Sequence, residues 1–322
     1  MNPPVDLSII IVNYNTCDLL RECLSSIYEN TGTLAMEVFV VDNASEDGSS
    51  SMVKTDFPQV VLIENSKNVG FAKANNQAIR RSQGRFVLLL NSDTIVVGDA
   101  LPKMVRFLAE TPQAGVVGCK LLNSDLTIQH TIKHFPTLVN TVSRYFYLSR
   151  LFPFSRMKMF IGTIETDSYY EDIHRVEFLL GACLMVKHQV IEDVGLLDED
   201  FFLYGEETDW CYRIKKAGWE IFYYPHAQII HHRGQSVKAT QKERWWVISR
   251  HLKAEYQFIA KHHSALYTGC YTFIISLKYG IAYLKNMILA RIFSSQHRQY
   301  YDLMQDYRVF LGWLFSTHIK WG

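Results

Sequence analysis

The chain has 322 residues, 48% of them hydrophobic and 20% charged, enough for one large α/β domain with an appended region or for two domains. A formal net charge of +1 excludes a globally basic nucleic-acid binder, and there is no zinc-finger, RNP or basic-zipper pattern, so any anionic ligand must be met by local groups. Cys17, Cys23, Cys119, Cys183, Cys211 and Cys270 form neither a C-x-x-C pair nor a zinc-spaced cluster and read as reduced thiols of a cytoplasmic protein, while the opening MNPPVDLSIIIVNYN lacks the basic n-region and long apolar run of a signal peptide.

The β-branched run Leu7 to Val12 predicts a strand buried on both faces of a parallel sheet, and the amphipathic stretch Asp18 to Tyr28 predicts the helix that follows it. The alternation recurs as strand Glu37 to Val41, helix Gly48 to Thr55, strand Val60 to Ile63, helix Phe71 to Arg81 and strand Arg85 to Leu90. Such spacing implies right-handed βαβ units and a doubly wound sheet, in which ligands gather at the carboxyl ends of the strands. Those ends carry Asn13-Tyr14-Asn15-Thr16, Asp42-Asn43-Ala44-Ser45, Glu64-Asn65 leading to Asn68-Val69-Gly70, and Asn91-Ser92-Asp93. Four polar strand ends on one rim are suited to a nucleotide crevice.

Further on, a helix reaches about Glu110, a strand spans Gly115 to Cys119, and a polar stretch runs from Asn123 to His134. Residues 135–175, aromatic and basic, read as an insertion on the acceptor side. A strand is expected over Val176 to Val186, a helix over Gly205 to Ala217 ended by Gly218, and strands through Trp219 to Tyr224 and to Gln228-Ile229-Ile230. From Arg244 onward ten Lys/Arg face three acidic residues amid many aromatics. Lys278 and Lys285 interrupt the apolar part Leu266 to Phe293 and argue against a simple transmembrane helix. Such basic, aromatic helices suit the headgroup region of an anionic leaflet, or alternatively pack on the sheet as a helical subdomain.

The ordered segments SIIIVNYNT, VVDNASEDGS, NVGFAKANNQAI, LLLNSDT, GACLMV, FFLYGEETDWCYRIKKAGW and IIHHRGQS, over about residues 5 to 235, resemble family 2 glycosyltransferases and within them the rhamnosyltransferase-like branch. The resemblance implies a GT-A fold, a Rossmann-like and mostly parallel central sheet flanked by helices. It places the catalytic domain at 1–240, with a nucleotide-sugar half to about 120 and an acceptor half after it, and a helical C-terminal region at 241–322. The implied reaction is transfer with inversion from a nucleotide diphosphate sugar, dTDP-L-rhamnose or a UDP-sugar, to a saccharide or lipid-linked glycan, at the inner face of a cell membrane.

The family pattern assigns the nucleotide to Asn13, Tyr14, Asn15, Asp42, Asn43, Gly70, Asn75, Asn91 and Ser92. Asp42 is placed to accept from a pyrimidine N3–H, and Gly70 to permit close approach. Asn91-Ser92-Asp93 stands where the family carries its Asp-x-Asp motif. Mg²⁺ or Mn²⁺ needs only one or two protein carboxylates beside phosphates and water, so Asp93 is the expected metal ligand, with His231 completing the shell. Asn91 departs from the motif and is suited to the ribose or a metal-bound water.

Glu207 is the candidate general base, although the family usually has Asp there. Glu206 and Asp209 are expected to cap the helix, orient Glu207 or hold acceptor groups. Gly181 and Ala182 would let a sugar approach the backbone, and Trp210 is either a sugar-stacking ring or core. Arg213, one turn after Asp209, is placed to pair with it. Each motif also has a plain structural reading, as an Asx turn, a helix cap or a dipole-stabilising carboxylate. Two other functions compete: a sugar-nucleotide nucleotidyltransferase, disfavoured because NYNTCD lacks the glycines of a phosphate loop, and a catalytically silent binding protein. No G-x-G-x-x-G follows a strand, which disfavours a Rossmann oxidoreductase.

Overall fold

The computed structural model describes residues 5–145, 166–232, 241–292 and 297–318. The chain divides into two compact units, Met1–Phe135 with Ile164–Lys238, and Pro136–Thr163 with Ala239–Gly322. In chain order the elements begin β1 (Leu7–Asn13), α1 (Cys17–Asn30), β2 (Met36–Asp42), α2 (Ser49–Asp56), β3 (Val61–Glu64), α3 (Phe71–Ile79), β4 (Phe86–Asn91), β5 (Thr94–Val97), α4 (Ala100–Glu110), β6 (Ala114–Leu122) and β7 (Ile132–Lys133). Helix α5 (Leu138–Tyr145) lies in the second unit. The first unit resumes with a 3-10 turn (Asp167–Glu171), β8 (His174–Val176), β9 (Phe178–Leu179), β10 (Cys183–Lys187), α6 (His188–Val194), α7 (Glu206–Lys216) and β11 (Glu220–His231).

The main sheet runs in the order β3-β2-β1-β4-β10-β6-β11-β5, with β8 added against β11; β7 and β9 form a separate pair. Parallel pairing joins β3, β2, β1 and β4, and also β6 and β11, whereas β10 is antiparallel to both β4 and β6. Six strands therefore share one direction, and the expected mostly parallel α/β sheet is present. The continuous apolar run of β1 follows from burial on both faces. Ile9 and Ile11 pack with Leu20 and Leu24 of α1 and Leu101 of α4, while Ile10 packs with Ala74 and Ala78 of α3 and Ile214 of α7.

Three local outcomes differ from expectation. The strand expected over 176–186 is broken: β9 pairs with β7, and the chain then crosses at 180–182 to pair β10 with β4. The strands expected to end at Tyr224 and at Ile230 are one strand. A register shift against β6 lies between Tyr224 and Gln228, around Pro225, whose missing N–H cannot continue a ladder. The short β5 and the helix α6 were not anticipated.

The second unit also contains α8 (Gln241–His262), α9 (Ala265–Ile292) and α10 (His297–His318). Trp245 of α8 meets Tyr279 of α9 and Tyr307 of α10 edge-on, with ring centroids 5.8 and 5.1 Å away, and Phe310 and Leu314 are buried. Tyr267 Oη accepts from the Leu138 amide at 2.8 Å, fastening α5 to α9.

Candidate active site

Strand β2 lies on one side of β1 and β4 on the other, so the carboxyl ends of β1 and β4 flank a topological switch point, where sheets of this kind open a crevice. The loops at that point are joined by their own side chains. Asn13 is fully buried; its Nδ2 donates to Asp42 Oδ1 at 2.8 Å and Ser45 Oγ at 3.0 Å, and its Oδ1 accepts from Thr16 Oγ1 at 2.6 Å. Asp42 Oδ2 accepts from the Ser45 amide at 2.9 Å. Ser45 Oγ also accepts from the Asn15 amide at 2.9 Å, and Asn15 Oδ1 accepts from the Glu46 amide at 2.8 Å. The Thr16 hydroxyl reaches across to Ser92 Oγ at 2.9 Å.

This network changes the reading of several residues. Asp42 is buried with both oxygens bonded, so it braces the first two loops whatever else it accepts. Asn43 is equally committed: Nδ2 donates to Gly70 O at 3.4 Å, and Oδ1 accepts from Asn65 at 3.0 Å. Asn75, expected to face the crevice, is buried and donates to Phe71 O of its own helix at 2.9 Å. Tyr14 at the end of β1 is 51% exposed and presents its ring to solvent.

Gly70 permits a close approach, but to protein. Its φ is +88°, a Cβ there would come within 2.7 Å of Phe202 O, and the Phe71 amide donates to that same oxygen at 2.8 Å. Asn76 adds a two-way clamp on Leu197, donating to its carbonyl at 2.9 Å and accepting from its amide at 3.1 Å. The segment that leads into α7 is thus held on the N-terminus of α3.

At the end of β4, Asp93 and His231 come together. His231 Nε2 lies 3.3 Å from Asp93 Oδ1, and Asn91 Nδ2 lies 3.4 Å from the same nitrogen. His231 is fixed from behind: Gln129 Nε2 donates to His231 O at 2.7 Å, so the amide oxygen Oε1, 2.9 Å from His231 Nδ1, is the acceptor of that contact. The proton of a neutral imidazole then sits on Nδ1, and the Nε2 lone pair faces the carboxylate. Two acceptors converging in this way form a donor set that a divalent cation satisfies, and the pair fits a metal whose other ligands come from a diphosphate. Among the described residues no group of three His, Cys, Asp or Glu ligands gathers. His232 turns away, with Nδ1 2.8 Å from Ser124 Oγ. Residues 233–236 of the last motif lie outside the described residues.

The acidic turn of α7 sorts its three carboxylates by burial. Asp209 is fully buried and accepts from Arg213 Nε at 2.8 Å, so it holds the helix and does not reach an acceptor. Trp210 is also fully buried, donating from Nε1 to Gly195 O at 2.8 Å; it is core and not a stacking platform. Ala182 is buried in the core, its carbonyl accepting from the Asn91 amide at 3.0 Å, so its side chain is not an acceptor surface. Glu206 is buried with Oε2 lacking a hydrogen-bond partner, which corrects its expected acceptor role. Burial first, and then the neighbouring Glu207 charge, hold its carboxyl well above the usual range.

Glu207 alone of the three is partly open. Its Oε2 accepts from the Gly205 amide at 3.1 Å, and burial outweighs the backbone bonds to raise its pKa above the ordinary carboxylate value. Gly181 lies alongside it, since a Cβ there would sit 3.5 Å from Glu207 Cβ. A Cβ at that position would make only ordinary van der Waals contact, so Gly181 neighbours the carboxylate without being shaped around an acceptor.

A family model described as glycosyltransferase-like family 2 matches residues 3–247. The chain belongs to glycosyltransferase family 2. Among curated relatives of this family 2 glycosyltransferase, N-acetylglucosaminyl-diphospho-decaprenol L-rhamnosyltransferase of Mycobacterium tuberculosis is 26% identical over 269 residues, covering 80% of this chain and 85% of the relative. A low-salt glycan biosynthesis hexosyltransferase of Haloferax volcanii is 26% identical over 220 residues, 67% of this chain and 64% of its own. A solved mannosyltransferase from Pyrobaculum calidifontis, in complex with GDP-Man and Mn²⁺, superposes with a TM-score of 0.56 at 18% identity, over 99% of this chain and 88% of that one. The fold is GT-A, and the family's activity is transfer of a sugar from a nucleotide sugar. Sequence reasoning missed Gln129, which lies 102 residues before His231 in a polar stretch without a local pattern, and the bracing hydroxyls of Thr16 and Ser45.

Proposed function

We propose that this glycosyltransferase moves a sugar, from dTDP-L-rhamnose or a UDP-sugar, to a hydroxyl of a saccharide or lipid-linked glycan in one in-line displacement with inversion. The observation that carries the reading is the convergence of His231 Nε2 on Asp93 Oδ1 at 3.3 Å beside the switch-point crevice. Asp93 and His231 would hold a divalent Mg²⁺ or Mn²⁺, which would supply Lewis-acid stabilisation of the departing diphosphate. Glu207 takes the proton from the acceptor hydroxyl as that oxygen forms its bond to the anomeric carbon and the bond to the diphosphate oxygen breaks. A base with a raised pKa is better matched to a hydroxyl proton than an ordinary carboxylate. The half-exposed Tyr14 offers a ring for the nucleotide, while Asn13, Asp42 and Ser45 keep the loops beneath it in place. The rhamnosyltransferase and hexosyltransferase relatives support a hexose or deoxyhexose donor and a glycan acceptor.

The test is a thermal-shift screen of UDP-, dTDP- and GDP-sugars with and without Mn²⁺, followed by product analysis, because a ligand that binds only the folded state raises its apparent stability. A metal-dependent shift with one nucleotide series, and glycoside plus nucleoside diphosphate as products, is the expected result. A shift without transfer to any glycan acceptor would leave a binding protein. Formation of sugar phosphate and nucleoside triphosphate in the presence of pyrophosphate would make the chain a nucleotidyltransferase.

A further inference from the structure

Helix α9 exposes Leu266, Phe273, Leu277, Ile281, Leu284, Ile288 and Ile292, with Leu266 81% and Phe273 69% accessible. At about 100° per residue these seven fall within an arc of about 100°. The buried residues Thr268, Tyr271, Thr272, Ile275, Tyr279, Asn286 and Ala290 occupy the opposite arc. The helix therefore has one face within its own unit and one apolar face in the open. An open groove lined by Ile281, Leu284, Lys285, Ile288 and Leu289 runs along that face.

We propose that α9 lies in the plane of an anionic lipid surface with this stripe in the acyl region. The charge on the helix favours lipid over a second protein copy: α9 carries Lys278, Lys285 and Arg291 and no acidic residue. Lys278 and Lys285 fall at one edge of the stripe and Arg291 at the other. Long basic side chains there lay their stems on the apolar face and keep their charge among headgroups.

Length and apolarity would also allow α9 to cross a membrane, at a mean hydropathy of 1.3 in its most apolar window. The observations favour the in-plane arrangement. Crossing would carry Lys278 and Lys285 into the hydrocarbon, and it would expose to lipid the face that bears Thr268, Thr272 and Asn286. The inference concerns binding alone and stands apart from the proposed transfer chemistry.

The full chain is tested on phosphatidylcholine vesicles with and without phosphatidylglycerol, by flotation. Binding to the anionic vesicles is expected, and it should fall more than about tenfold in Lys278→Glu/Lys285→Glu, since each basic residue near such a surface contributes about fivefold. It should be lost in Phe273→Glu/Ile288→Glu, two exposed positions whose substitution is expected to leave the melting temperature unchanged. Cys270 is exposed near the stripe, and an environment-sensitive fluorophore on it, in a Cys17→Ser background, should shift to the blue on binding. Fluorophores at Leu277→Cys and Ile288→Cys, in the background lacking Cys17 and Cys270, should be quenched alike by a lipid quencher at one shallow depth. Depths that progress along the helix would overturn the in-plane arrangement. Absence of vesicle binding, or a dimer dissolved by Ile281→Glu without vesicle binding, would overturn the lipid surface altogether. Glu207→Gln should float like the parent chain, so a failed transfer reaction does not bear on this result.

Discussion

The two sides of the crevice are built on opposite principles. On the β1–β2 side, Asn13, Asp42, Ser45, Asn43 and Asn65 bond one another. On the other side, Glu206 keeps an orphaned oxygen, Glu207 is partly open, and His231 Nε2 confronts Asp93 with a lone pair. Satisfied groups are rigid and chemically quiet. Burial raises the pKa values of Glu206 and Glu207, and a buried polar atom without a partner gains most from acquiring one. On the proposed reading the first side positions and the second reacts.

Substitutions separate the two behaviours. Glu207→Gln is expected to lower kcat by about 10²- to 10⁴-fold, the usual worth of a general base, while nucleotide and Mn²⁺ binding persist in calorimetry. The same residue sets a pH limb. Its carboxyl must be ionised to accept a proton and its pKa is raised by burial, so kcat/KM should climb with pH through a value above the ordinary 4.5, and the limb should vanish from the residual activity of the variant. A parent profile whose acid limb lies at the ordinary value would remove Glu207 from the role.

Asp209→Ala should act on stability instead. Removing one partner of a buried ion pair costs about 3 to 5 kcal/mol, read as a lower midpoint in urea. An unchanged midpoint would mean that Asp209 is not the structural member of the acidic turn. Gln129→Leu removes the acceptor that holds the His231 tautomer and should weaken Mn²⁺ binding by about 10- to 100-fold, measured by the free-ion signal in electron paramagnetic resonance. Gln129→Glu, which keeps an acceptor at that position, should lose less. The smallest effect belongs to the quiet side: Asn13→Ala leaves the Thr16 hydroxyl and Asp42 short of a partner and should cost about 1 to 3 kcal/mol of stability. In that variant any rise in KM without a change in kcat would show that the loops orient the donor and take no part in the chemistry.

The first half of the sheet, β1 to β4, was legible because its signals are local. A β-branched run, an amphipathic helix and a polar strand end repeat within short spans, and β1 to β4 appear within one or two residues of their expected bounds. The later half mixes strand directions, so its signals weaken. A strand that changes partners at 180–182 and a strand bulged at Pro225 have no period that marks them. At the site, the identity of the acidic turn could be read but not its division of labour. The Asp209–Arg213 pair has helical spacing, but the approach of Gly181 to Glu207 joins positions 26 residues apart and carries no local signal. Trp210 illustrates the same limit: helical spacing left core and sugar platform equally open, and its bond to Gly195 O places it in the core.

The clamp between Asn76 and Leu197 spans 121 residues of chain. Contacts of such sequence separation form late, since the loop they close must be ordered before it is rewarded. The turn at Gly70 and the segment leading to Glu207 meet at the same place, since the Phe71 amide donates to Phe202 O beside the Asn76 clamp. On a chain emerging from the ribosome, the α3 side of this clamp is made 121 residues before its partner, so the loop before α7 cannot dock until both lengths of chain are present.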